Sequence, residues 1–171
     1  RDVRDLRQVG DLMMFRAFLE LIAARSGQLL NLAALSRELG VAANTAKAWL
    51  GLLEATHQIA LIRPFAANIG KRLTRTPKLI FTDVGTLCHL VGLESPAHAA
   101  RSPMSGAIFE TAVVGEILRR LRGRGLEPRV SHWRTAAGSE VDLLVEAGGL
   151  RIPIEVKQSG TPHPRMARQL H

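Results

Sequence analysis

The sequence predicts an α+β chain in two units. The first holds three helices and a β-hairpin, and the second holds one long helix followed by three strands. Three observations carry this expectation. Apolar side chains recur at helical spacing from Leu12 to Leu53, and two short apolar runs then bracket a loop rich in lysine and arginine. Further on, Gly148-Gly149 separates two runs of alternating apolar and charged residues, which is a hairpin signature.

The first unit can be justified element by element. Leu12, Phe15, Phe18, Leu19 and Ile22 mark a helix over residues 11–25, and Gly27 ends it. A second helix fits Leu32–Leu39, with Asn31 as its cap and Gly40 as its stop. A third, over residues 44–54, turns Ala46, Trp49, Leu50 and Leu53 inward. Two helices joined by a glycine-bearing turn form the helix-turn-helix pattern. Ile59–Ile62 and Lys78–Phe81 read as the strands of a wing, and Asp83 caps a helix over Val84–Leu90. Residues 1–95 are therefore expected to form a winged helix-turn-helix domain.

Its candidate nucleic-acid contacts are Asn44, Thr45 and Lys47 on the third helix, with Lys71, Arg72 and Arg75 at the wing tip. The wing-tip cations suit phosphates. The third helix carries no arginine, so base-specific readout is not expected. Non-specific DNA contact and a structural or interaction role both stay open.

Composition sets bounds on function. Lysine and arginine exceed aspartate and glutamate by 8, and both halves of the chain share the excess, which suits an anionic partner such as nucleic acid or simply a basic surface. No apolar run is long enough for a membrane span, and no signal-peptide pattern opens the chain. A lone Cys88 allows no internal disulfide and fits a cytoplasmic protein. The first residue is Arg1, so the chain is expected to be a fragment of a longer polypeptide.

Residues 96–104 read as a linker containing two prolines, and residues 105–171 as the second unit. Its helix begins at Ser105 and runs to about residue 122. On a helical wheel Phe109, Val113, Val114, Ile117, Leu118 and Leu121 form an apolar arc with Glu110 at its centre. A carboxylate there is costly unless it binds a cation or joins a buried salt bridge. Residues 129–134 alternate as a strand, and the Gly148-Gly149 hairpin follows.

In that hairpin Val141, Leu143 and Val145 share one face, while Glu140 and Asp142 share the other. A two-residue turn places Asp142 opposite Glu155 and Glu140 opposite Lys157, with Cβ atoms roughly 5 Å apart. Two facing carboxylates call for a proton or a cation, and a divalent metal is one answer. A solvated strand face with an ordinary Glu140–Lys157 pair is another.

The order Glu110, Asp142, Glu155-Val156-Lys157 resembles the motif of the PD-(D/E)XK nuclease fold. The resemblance implies that Glu110, Asp142 and Glu155 hold Mg²⁺ or Mn²⁺. The metal would polarise a DNA phosphodiester and activate water, and Lys157 would position that water or stabilise charge. Longer stretches, among them GKRLTRTPKLIFTDVG, GAIFETAVVGEILRRL and PIEVKQS, resemble the C-terminal region of a prokaryotic family of AAA+-type ATPases. In that family an ATPase domain precedes a winged helix and a nuclease-like domain. The resemblance implies a missing ATPase half, and no phosphate-binding G-x-x-x-x-G-K-[ST] loop occurs in the chain. It also implies a nuclease-like fold that stops short, because a complete one continues with another helix and strand. Two functions follow from it as expectations. One is a metal-dependent DNA endonuclease centred on Asp142, Glu155, Lys157 and Glu110. The alternative is an inactive module that binds nucleic acid or a partner protein and regulates the ATPase.

Overall fold

In the computed structural model, residues 12–65, 76–126, 129–134, 140–161, 163 and 166 are described. Among them the chain is a mixed α+β structure with six helices and two small antiparallel sheets. The candidate phosphate contacts Lys71, Arg72 and Arg75 lie outside the described residues.

Three helices open the chain: α1 (Leu12–Ala23), α2 (Leu32–Leu39) and α3 (Ala43–Ala55). Asn31 caps α2 by accepting from the Ala34 amide, and Gly40 leaves it in the left-handed region at φ 68°. Trp49 packs against Phe15 and Phe18, with ring centroids 5.5 and 5.4 Å away. Strands β1 (Ile59–Ile62) and β2 (Lys78–Phe81) pair antiparallel, with Ile59 opposite Phe81 and Ile62 opposite Lys78. Both faces of this hairpin are covered. Ile59, Leu79 and Phe81 join the helical core, whereas Ala60, Ile62 and Ile80 join a second core with Val114, Leu118, Leu143 and Val145. The hairpin thus lies between two apolar cores.

Helix α4 (Val84–Leu90) is capped by Asp83 as expected. The stretch read as a linker is partly helical, with α5 spanning Pro96–Arg101. The reason is local. Ser95 accepts from the His98 amide, and Pro96 stands in the first turn, where its missing N–H costs nothing. A proline taken as a breaker serves here as a starter.

Helix α6 (Ser105–Gly123) is the long element of the second unit. Its buried positions are Ile108, Thr111, Val114, Gly115 and Leu118, so the helix is rotated from the expected arc and Phe109 is 42% exposed. Gly115 explains the rotation. A Cβ there would meet the Thr82 carbonyl oxygen at 3.3 Å, so glycine lets α6 approach the end of β2. On the same buried face, the Thr111 hydroxyl lies 3.0 Å from the Ser26 hydroxyl, which in turn accepts from the Phe81 amide.

Strands β3 (Arg129–Arg134), β4 (Glu140–Ala147) and β5 (Leu150–Ile154) form an antiparallel sheet in that order. The β4–β5 register pairs Leu143 with Ile154 and Ala147 with Leu150, as the two-residue turn predicts. Gly148 and Gly149 have φ of 57° and 79°, both in the left-handed region that such a turn requires. The β3–β4 ladder is irregular between Ser131 and Trp133, which frees the backbone of His132. Its amide donates to Arg63 O at 3.0 Å, and its carbonyl accepts from the Phe65 amide at 2.7 Å. The bulge therefore stitches β3 to the chain leaving β1. Trp133 is partly exposed, at 37%.

Candidate functional site

The acidic residues singled out in the sequence converge, and they converge on a lysine. Parity along β2 sets Leu79 and Phe81 toward the helical core and Lys78 with Ile80 toward α6 and β4. Lys78 is 2% exposed. Its Nζ lies 2.8 Å from Glu110 Oε1, 3.1 Å from Asp142 Oδ1 and 3.1 Å from Glu140 Oε1. Four elements thus meet around one ammonium. β2 supplies the cation, α6 supplies Glu110, and β4 supplies Glu140 and Asp142. The last contributor is the segment after β5, whose Val156 amide donates to Asp142 Oδ2 at 2.9 Å.

The electrostatics follow from this unequal count. Burial alone would pull the Lys78 pKa down, but the charges and hydrogen bonds of Glu110 and Asp142 hold it above its ordinary value. Burial pushes the Glu110 pKa up. The Lys78 charge opposes that rise, and the Asp142 and Glu140 charges add to it. Both shifts are upward without contradiction, because one ammonium is fully surrounded while each carboxylate has only a share of it. Arg134 stands near the rim, 3.9 Å from Glu140.

Glu155 and Lys157 form the second half of the predicted set. Lys157 Nζ lies 2.5 Å from Glu155 Oε1, and that hydrogen bond raises the Lys157 pKa. The Glu155 side chain is 7% exposed, and its Oε2 is buried without a hydrogen-bond partner. Extending the β4–β5 register by one residue sets Asp142 beside Glu155, as expected. β5 ends at Ile154, however, and Lys157 turns to Glu155.

The donor chemistry suits a hard divalent cation, being carboxylate oxygens only. The geometry does not. The Lys78 ammonium holds the point where Glu110 and Asp142 converge, and the second oxygen of Asp142 is taken by Val156. Among the described residues no group of three acidic, histidine or cysteine side chains is arranged to hold a metal ion.

Lys78 was not among the sequence candidates, although a signal for it exists. It opens a strand whose other residues are all apolar, and it shares parity with Ile80. Of the candidate nucleic-acid contacts, Asn44 and Lys47 are exposed on α3 and Thr45 is half-buried. Among the described residues no helix is long and apolar enough to cross a membrane.

Comparison with known proteins places the chain among proteins of unassigned function. Two uncharacterized proteins, Mb2031c of Mycobacterium bovis and Rv2008c of Mycobacterium tuberculosis, are each 36% identical to the chain over 163 residues. The match covers 93% of this chain but 36% of each relative, so the chain spans about a third of their length. A UPF0102 protein of Dinoroseobacter shibae is 38% identical over 65 residues, covering 38% of this chain and 45% of that protein. No solved structure gives a significant match. Residues 105–171 match a domain of unknown function, DUF4143, and residues 1–97 match another, DUF8612. With more than half of its length under the second of these, the chain belongs to the DUF8612 family.

Proposed function

We propose that this chain is a DNA-associated module of a longer, ATPase-bearing protein. It would consist of a winged helix joined to a nuclease-like domain whose acidic centre is non-catalytic in this arrangement. One observation carries the reading. Two of the three carboxylates that a nuclease would offer to a metal, Glu110 and Asp142, are instead bound to Lys78, a residue of the first unit. A lysine supplied from within the chain ties the β1–β2 hairpin to α6 and β4 and occupies the point where Glu110 and Asp142 converge.

Several features support the wider reading. The first unit runs helix, helix, helix, hairpin, the order of a winged helix, and the second runs helix then three antiparallel strands. The net charge of +8 suits a polyanion. DUF4143 is typical of proteins associated with AAA-type ATPases, and the mycobacterial relatives extend well beyond the matched segment. Mg²⁺-dependent cleavage of DNA is a second reading, favoured by the buried, unpartnered Oε2 of Glu155 beside Asp142.

Fluorescence anisotropy with a labelled DNA duplex, together with a plasmid-nicking assay in Mg²⁺ or Mn²⁺, separates the two. The expected result is binding that weakens steeply as salt rises, with no nicking. No affinity at low salt overturns DNA association. Nicking that Asp142→Ala abolishes in a folded protein replaces the first reading with the second.

A further inference from the structure

We infer that Lys78 is the resident cation of the acidic site, and that a hard divalent ion can bind there only when this ammonium is removed. The inference rests on the reading above, in that it takes Glu110, Asp142 and Glu155 as a nuclease-like set. It adds what controls access to that set.

Three observations lead to it. First, Nζ contacts oxygens of Glu110, Glu140 and Asp142 at 2.8–3.1 Å, so the ammonium stands where their negative potential is focused. Mg²⁺ would bind such oxygens at about 2.0–2.1 Å, well inside the ammonium's own contact distance. Two cations there would face each other at close range with little water to screen them.

Second, the stem of Lys78 starts from a fixed point. β2 is held on one edge by β1, with Lys78 opposite Ile62, and on the other by a bridge between Leu29 and Lys78. The Leu79 carbonyl accepts from the Gly27 amide at 2.7 Å, and the Leu79 amide donates to Gln28 O at 2.9 Å. The side chain is 3% exposed, so water offers the ammonium no ready alternative.

Third, the site still asks for positive charge. Three carboxylates share one ammonium, and the adjoining Glu155 keeps Oε2 buried and unpartnered. Removing the ammonium would leave a set of oxygen donors with no cation. Oxygen donors of that kind fit Mg²⁺ or Mn²⁺.

The test uses Mn²⁺ alone as the probe on the 171-residue chain, with uptake read as loss of the free-ion paramagnetic resonance signal. Wild type is expected to leave the signal unchanged. Lys78→Met, which keeps the length of the side chain without its charge, is expected to bind one equivalent. Adding Asp142→Asn should weaken that uptake about tenfold or more. Uptake by wild type with broadening of the Asp142 and Val156 amides overturns the inference, and so does a folded Lys78→Met that takes up none. Should Lys78→Met not fold alone, Lys78→Gln, which keeps a hydrogen-bond donor, is examined with it in the presence of Mn²⁺. Folding or uptake rescued by the ion supports the inference, and no rescue of either variant overturns it. None of these samples contains DNA. Absence of DNA binding would therefore overturn the proposed DNA association and leave the cation inference standing, while Mn²⁺ uptake by wild type would overturn the cation inference and the closed acidic centre and leave DNA association standing.

Discussion

Lys78 Nζ donates to Glu110 Oε1 at 2.8 Å, joining the hairpin of the first unit to the long helix of the second. Neither residue could be buried alone. Glu110 lies on a helix that buries Ile108, Val114 and Leu118, and Lys78 opens a strand covered on both faces. Each offsets part of the other's desolvation, although burial still outweighs the Lys78 charge at Glu110, and the contact is made only where the β1–β2 hairpin packs on α6. The pair therefore adds a directional contact to the apolar packing of Ile80, Val114 and Leu143.

Lys78→Met is expected to destabilise the chain by roughly 3–5 kcal/mol, the usual cost of stripping one partner from a buried charge set. Replacing both Lys78 and Glu110 by methionine should recover part of that loss, because one of the orphaned carboxylates goes with the cation. Urea denaturation of the two single variants and the double variant measures the coupling. Strict additivity would mean that the pair is not coupled in solution.

Much of the fold could be read locally. Asn31, Gly40 and Asp83 fix helix ends through hydrogen bonds to near neighbours, and the two positive-φ glycines fix the hairpin register that sets Asp142 near Glu155. What escaped was non-local. The rotation of α6 depends on Gly115 meeting Thr82, and a glycine within a helix does not announce its partner. The role of Lys78 depends on α6 and β4 covering the Ile80 face of the β1–β2 hairpin. A lysine at a strand end ordinarily reads as solvated. Glu110 did announce a buried cation, but its partner could not be told from a metal without the packing.

The pH dependence of stability should carry two opposing slopes. The folded chain holds the Glu110 carboxyl above its ordinary value of 4.5, so just above that value it binds a proton that the unfolded chain has lost. In that window stability falls as pH rises. Burial holds the His132 imidazole below its ordinary value of 6.5, so just below that value the unfolded chain binds the extra proton and stability falls as pH drops. Glu110→Gln should remove the first slope and His132→Gln the second, as read from urea midpoints taken from acid to neutral pH. Lys78, whose pKa is raised, contributes stability that is fully present below 10.5 and lost as pH climbs through its folded value.

The Gly148-Gly149 turn controls how well Asp142 is placed. With φ of 57° and 79°, these residues occupy conformations that an L side chain reaches only under strain. Gly149→Val should therefore cost about 1–2 kcal/mol, whereas Gly148→Asn, a residue that tolerates this region, should be close to neutral. The cost should appear at a distance from the turn. The Val156 amide that donates to Asp142 Oδ2 lies beyond the last ladder pair of β5, so its protection depends on the register below it. Hydrogen exchange is expected to quicken at Val156 in Gly149→Val and to stay unchanged in Gly148→Asn. If Val156 kept its wild-type protection while the melting temperature fell, the carboxylate would be held by Lys78 alone and the hairpin would have no part in placing it.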